Sequence, residues 1–395
     1  MAQAVGLVSN RRSPRRGRKN VLSLPRCFTW ERHSYVAPEL YSNRMTPVER
    51  LLAAPGRRDF LKLFGAGTLG LALPGGFLYA QGSTPKPLRG IFPIAQTPFT
   101  AAGKLDVDGL VDEVKFVDRG GVHGFVWPQM VSEWLSLTEP ERMLGMEAIA
   151  SAGKKLRPAI VFGVQAADLA TSLKLAKHAA AVGADGIISL PPSENLTPQQ
   201  MLDYYKAIGG ATKLPLFVQA VGDMDINLIM SMYKAIPAMR YLKDEAGDVL
   251  ARIVQLTKMT SGDLKIMTGS HGRTLLEEMR IGSSGCMPVA AFGDLYAATW
   301  DLWHQGKHKE AMDMHGRTLL LLTEAGIYSG VEPFKYILYL RGVFKTYAAR
   351  KVSTPGFAAA AKAASANSGL SRPLDEAGKQ SLKETVDYLR PYFRA

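Results

Sequence analysis

Two cysteines in 395 residues, Cys27 and Cys286, exclude a disulfide framework, and no CxxC pair or finger-type spacing offers a structural metal site. Acidic residues are scarce at one end only. Residues 1–80 hold 4 Asp and Glu against 13 Lys and Arg, a net of +9, while the remainder holds 31 against 35. Most of the formal net charge of +13 therefore sits in the leader, which disfavours a nucleic-acid interface on the folded part. Long apolar runs are also missing. Leu63 to Ala80 comes nearest, but Gly65, Gly67, Gly70, Pro74, Gly75 and Gly76 interrupt it, which argues against a permanent membrane span. A dinucleotide fingerprint is lacking too. Gly65-Ala66-Gly67-Thr68-Leu69-Gly70 matches G-x-G-x-x-G in letters, but no strand precedes it and no acidic residue follows about 20 residues on within a βαβ unit.

What is there has the balance of an ordinary globular protein, 47% hydrophobic and 21% charged, with ample length for a large core. Residues 1–44 are rich in Arg, Ser and Pro without periodicity and read as a disordered extension, or as the product of too early a start codon with Met45 as the alternative start. Gly56-Arg57-Arg58-Asp59-Phe60-Leu61-Lys62, the apolar stretch behind it and the small residue Ala80 resemble a twin-arginine export signal. The expectation is a leader over 1–80, passage through the twin-arginine machinery and a periplasmic or other extracytoplasmic location.

From Gly90 onward, short apolar runs alternate with amphipathic stretches. Eight strand candidates follow in order: Ile91–Ala95, Gly124–Trp127, Ala159–Phe162, Gly186–Leu190, Leu216–Val218, Met239–Leu242, Lys265–Met267 and Gly285–Met287. Helical patterns lie between them, two opening on capping signals, Thr138 with Glu141 and Thr197 with Gln200. Alternation implies a parallel sheet, and eight similar units in about 200 residues imply closure into an α/β (β/α)8 TIM barrel. We expect the barrel over 81–294 and a helical region packed on it over 295–395, with helices at Leu295–Gln305, Lys309–Ala325, Phe334–Tyr347 and Asp375–Tyr392 and a softer stretch at Val352–Ser371.

Catalytic groups of such barrels stand at the carboxyl ends of the strands. Among these ends Lys243 is the one cation, in Tyr241-Leu242-Lys243-Asp244-Glu245-Ala246-Gly247-Asp248. Burial of an amine favours its neutral, nucleophilic form, which attacks carbonyls. Pairing of Lys243 with a nearby carboxylate is the bland alternative, and the residues alone leave it open.

Several fragments, in this order, resemble the dihydrodipicolinate synthase / N-acetylneuraminate lyase family of pyruvate-dependent Schiff-base aldolases, from roughly Arg89 to Leu389. They are Thr97-Pro98-Phe99 with Gly103 and Asp106; Gly120-Gly121-Val122-His123-Gly124; Ser132-Glu133 with Leu137-Thr138-Glu139-Pro140-Glu141-Arg142; Gly183-Ala184-Asp185-Gly186 and Leu190-Pro191-Pro192; Lys243 to Asp248 as K-D-x-x-G-D; Gly282-Ser283-Ser284-Gly285; and Glu332-Pro333-Phe334-Lys335. The resemblance implies that Lys243 forms an imine with a 2-oxo acid, that no metal or organic cofactor takes part, and that the chain is a homo-oligomer, a tetramer or dimer. It also implies substrate-binding positions at Val131, Ser132, Glu133 and Met287.

The departures are as informative. Gln219-Ala220-Val221-Gly222 stands where the family has Y-x-x-P, and an amide does not titrate as the phenol does. Gln129-Met130-Val131-Ser132-Glu133 stands where the family has G-T-T-G-E, so two hydroxyls are lost and backbone N–H groups with Ser132 are left to hold a carboxylate. Ser193-Glu194 replaces expected tyrosines. Lys243 and Gln219 are thus the candidate catalytic residues, with His271 in Gly269-Ser270-His271-Gly272 a further titratable candidate. His304 and His308 read as surface residues, and Met143, Met146, Met312 and Met314 as helix packing. The functional expectation is an exported carbon-carbon or carbon-oxygen lyase acting on pyruvate or another 2-oxo acid. The alternative is a barrel that binds a small carboxylate or sugar acid without turnover.

Overall fold

Short hydrophobic strands that are buried on both faces need helices on one side and one another on the other, and the chain meets that need by closing its sheet. The computed structural model describes residues 85–192, 196–350 and 372–395. The stretch expected to be an export signal, Cys27, Ser193-Glu194 and the stretch from Val352 to Ser371 lie outside these residues.

The strands are β1 (Gly90–Ile91), β2 (Gly124–Trp127), β3 (Ala159–Gly163), β4 (Gly186–Ser189), β5 (Leu216–Ala220), β6 (Met239–Asp244), β7 (Lys265–Thr268) and β8 (Gly285–Cys286). Each pairs in parallel with its neighbours in the order β1-β8-β7-β6-β5-β4-β3-β2. Ile94 closes the ring through bridges to Val126 on β2 and to Val289 beyond β8. The expected eight strands and the TIM barrel are both present.

A helix follows every strand: α1 (Val107–Arg119), α2 (Glu139–Gly153), α3 (Leu169–Ala181), α4 (Pro198–Ala211), α5 (Ile226–Ala235), α6 (Val249–Met259), α7 (Leu275–Arg280) and α8 (Gly293–His304). Their starts are chemically marked. Thr138 and Thr197 form the two expected capping boxes, while Asp106, Asp168, Asp225 and Asp248 accept N–H groups at the starts of α1, α3, α5 and α6.

Among the described residues three more helices follow, α9 (His308–Gly326), α10 (Glu332–Leu340) and α11 (Glu376–Leu389). Most of α8 is buried, Leu295, Tyr296, Ala297 and Trp300 included, because the barrel covers one face and the appended helices the other. The helix expected over Phe334–Tyr347 stops at Leu340, since Gly342 adopts φ +72° and turns the chain out of the helix. Arg341, at that end, grips Asp294 on α8 with two parallel hydrogen bonds of 2.8 and 2.6 Å. Among the described residues no helix is long and apolar enough to cross a membrane.

Candidate active site

Alternation along a strand sends every second side chain inward, so the barrel interior can be read upward in layers. Phe92, Ile94, Val126, Ala159, Val161, Ile188, Phe217, Met267 and Met287 form an interior apolar cluster, and Tyr241 packs on it with its ring 4.5 Å from that of Phe217. Two residues beyond Phe217 and Tyr241, toward the carboxyl ends, come Gln219 and Lys243. These two are register partners across β5 and β6, and Lys243 is only 6% exposed.

The segment after Tyr241 assigns each residue a different task. Lys243 points into the barrel. Asp244, next in alternation, turns away and receives a 2.8 Å hydrogen bond from Nε of the buried Arg252 on α6. Glu245 then folds back toward the lysine, its Oε2 3.1 Å from Nζ of Lys243. Gly247 takes φ +56°, a conformation that favours glycine, and Asp248 caps α6. Thus three carboxylates within five residues hold a helix, an arginine and the candidate nucleophile.

Glu245 is fixed by three strand ends at once. Gln219 Nε2 donates to its Oε2 at 2.5 Å, and the backbone N–H of Ser270 donates to Oε1 at 3.0 Å. Room for the carboxylate exists because residue 269 is glycine: a Cβ there would lie 1.8 Å from Glu245 Oε1. Burial pushes the Glu245 pKa upward, but the Lys243 charge and the N–H donors outweigh it and hold the carboxyl below its ordinary value. His271 is nearby, with φ +53° and its ring 5.4 Å from that of Phe334. Burial lowers its pKa to about 4 despite the attraction of Glu245, so its imidazole is neutral near neutral pH.

The other expected site residues are distributed differently. Val131 packs against the interior cluster that contains Met287. Met130–Ser132 is a single 3-10 turn, so the N–H groups of Met130 and Val131 open it without intrahelical acceptors. The Ser132 hydroxyl is engaged within the turn and its surroundings, accepting from Gln129 N–H at 2.9 Å and donating at 2.5 Å to Ala95 O. Glu133, at φ +57°, directs one oxygen to the Lys335 ammonium on α10 and the other to the Arg350 N–H at 2.8 Å. Its carboxylate therefore ties the β2 loop to the appended helices. His304 receives a contact from Arg89 at the outer end of α8, and no cluster of three metal-ligating side chains occurs among the described residues.

Two groups escaped the sequence reading. Glu245 stands at a variable position of the K-D-x-x-G-D segment, where its letter alone assigns no role. Arg142 sends its guanidinium from α2 to the end of β3, donating to Gly163 O at 2.7 Å and Gln165 O at 2.6 Å, so Lys243 is not alone as a cation at the strand ends. Its burial without a carboxylate lowers its pKa to about 10.

Comparison with known proteins decides the lineage. Residues 87–364 match the model of the Dihydrodipicolinate synthetase family. The chain belongs to that family. Among curated proteins it is similar to 4-hydroxy-tetrahydrodipicolinate synthase of Rhizobium meliloti, 27% identical over 258 residues that cover 63% of this chain and 87% of the relative. It is also similar to L-2-keto-3-deoxyarabonate dehydratase of Azospirillum brasilense, 25% identical over 272 residues, 66% and 87% of the two chains. Its fold matches that of YagE, a prophage protein of E. coli K12 solved with pyruvate, at a TM-score of 0.66 and 19% identity, covering 77% of this chain and 99% of the other. N-acetylneuraminate lyase from Mycoplasma synoviae matches at a TM-score of 0.64 and 17% identity, covering 78% and 98%. Family members are lyases and synthases of the class I aldolase type that act on small 2-oxo acids, and the dihydrodipicolinate synthetase barrel is the frame in which Lys243 and Glu245 meet.

Proposed function

We propose that this protein is a lyase of the class I aldolase type that holds a 2-oxo acid as an imine on Lys243. The observation that carries this reading is the buried lysine at the carboxyl end of β6, directed into the barrel of a dihydrodipicolinate synthetase family member. The N–H groups of Met130 and Val131, which open the turn without intrahelical acceptors, are the anchor in this reading for the substrate carboxylate. The buried amide oxygen of Gln219, register partner of Lys243, has no donor among the described residues, which suits a substrate that brings a hydroxyl group. The imine route needs no metal or organic cofactor. The leader motif adds export through the twin-arginine machinery to this reading, and the family's habit adds a homo-oligomer.

The second reading, a barrel that binds a small carboxylate without turnover, is favoured by one observation, the Lys243–Glu245 ion pair. Borohydride reduction in the presence of pyruvate, followed by peptide mass mapping, separates the two. An adduct on Lys243 that is absent from the Lys243→Ala variant supports the imine. If no 2-oxo acid in a panel leaves an adduct, the enzyme reading falls; if the variant still traps, another lysine is the nucleophile.

A further inference from the structure

Imine chemistry at a lysine needs a group that moves protons, and the side chain at the expected position, Gln219, cannot do so. The structure offers a different group at the reacting nitrogen. We propose that Glu245 is the acid–base catalyst of the imine cycle on Lys243, with Gln219 as its positioning residue. This rests on the Schiff-base reading above and assigns the proton transfers within it.

Geometry carries the assignment. Glu245 Oε2 lies 3.1 Å from Lys243 Nζ, within reach of every proton that nitrogen gains or loses. The carboxylate is oriented from β5 by Gln219 and from the β7 end by the Ser270 N–H, and the absence of a side chain at Gly269 makes its place. It also stays accessible to a ligand: its side chain retains 22% exposure against 7% for that of Lys243. The other titratable groups that act on this carboxylate or on Lys243 are Asp244, already paired with Arg252, the buried thiol of Cys286, and His271. Asp244 points away from the barrel to Arg252 and the His271 ring packs on Phe334, whereas Glu245 is in direct contact with Lys243 Nζ. Glu245 is left.

The steps balance. The ion pair first passes one proton from the Lys243 ammonium to Glu245. The neutral amine attacks C2 of the 2-oxo acid, a C–N bond forms, and Glu245 returns its proton to the carbonyl oxygen as the C–O double bond opens. The carboxylate next takes a proton from the tetrahedral nitrogen and gives it to the hydroxyl, which leaves as water while the nitrogen lone pair forms the C=N bond. The products are a protonated imine, one water and the Glu245 carboxylate, beside which the imine's positive charge is stabilised. Withdrawal of a C3 proton by the same carboxylate then gives the neutral enamine.

The test uses pyruvate as probe, with the full-length protein and its Glu245→Gln and Gly269→Ala variants. Two rates are followed: borohydride trapping on Lys243, and exchange of pyruvate methyl protons for deuterium by NMR. Wild type is expected to trap and to exchange. Glu245→Gln keeps the shape and the lysine, so trapping should reach the same end point, but both rates should fall about 100-fold or more. Gly269→Ala keeps the carboxylate but crowds it from its place and should show the same loss. Wild-type rates in a folded Glu245→Gln variant overturn the assignment while leaving the imine reading intact. No trapping by wild type overturns the imine reading itself, and this proposal with it.

Discussion

The carboxylate of Glu133 and the ammonium of Lys335 close on each other across the wall of the barrel, both essentially removed from solvent. Lys335 also donates to Ala348 O at 2.7 Å and lies 4.4 Å from the Phe99 ring, so it joins the β2 loop, the β1 end and the appended helices. Lys335→Met should leave a buried charge uncompensated and cost about 3–5 kcal/mol, whereas adding Glu133→Gln should recover much of that loss. Urea unfolding of single and double variants checks it; equal losses in both would show that the two residues do not act as a pair.

Glu113 on α1 is the most deeply buried carboxyl near this pair, with Gln96 N–H on one oxygen at 3.0 Å. Burial raises its pKa well above the ordinary value, against the weaker pull of the Gln96 N–H and Lys335. A raised folded pKa stabilises the protein below the unfolded pKa, and that contribution is lost as pH rises through the folded value. Glu113→Gln should therefore be close to neutral near pH 4.5 and increasingly stabilising toward pH 8, as read from thermal unfolding at both pH values.

His271 titrates in the opposite sense. Its folded pKa of about 4 lies below the ordinary 6.5, so between those values the unfolded chain binds a proton that the folded chain refuses. Stability should fall as pH drops through that window, and the slope should flatten in His271→Gln. The imidazole C–H signals give a direct check: they should show the neutral ring down to about pH 5.

If the leader is a twin-arginine signal, the exported protein should begin near Gln81. N-terminal sequencing of extracytoplasmic material checks this, and replacing Arg57 and Arg58 by lysine should keep the protein in the cytoplasm.

The barrel was legible because β and α periods alternate in a fixed order, and Lys243 stood out as a charge at the end of an apolar strand. Glu245 was not legible. In sequence, Asp244, Glu245 and Asp248 are one acidic turn, and only folding distributes them to Arg252, to Lys243 and to the start of α6. Glu133 shows the same difficulty over a longer range. Its partner Lys335 comes from a helix beyond the barrel, so a local motif that reads as a substrate loop also carries a clasp. The helix expected through Tyr347 was cut short by one residue, Gly342, whose positive φ leaves no letter pattern distinct from a tolerated helical glycine.

The close pairing of Lys243 with Glu245 has a consequence for encounter as well as for chemistry. A lone ammonium at the barrel mouth would draw anions in from solution, but opposite charges 3.1 Å apart cancel each other's field within a Debye length, about 8 Å at physiological ionic strength. On the proposed reading, a 2-oxo acid is therefore not guided by this pair from a distance. Capture would then rest on contacts made within the site, and its rate should depend little on salt.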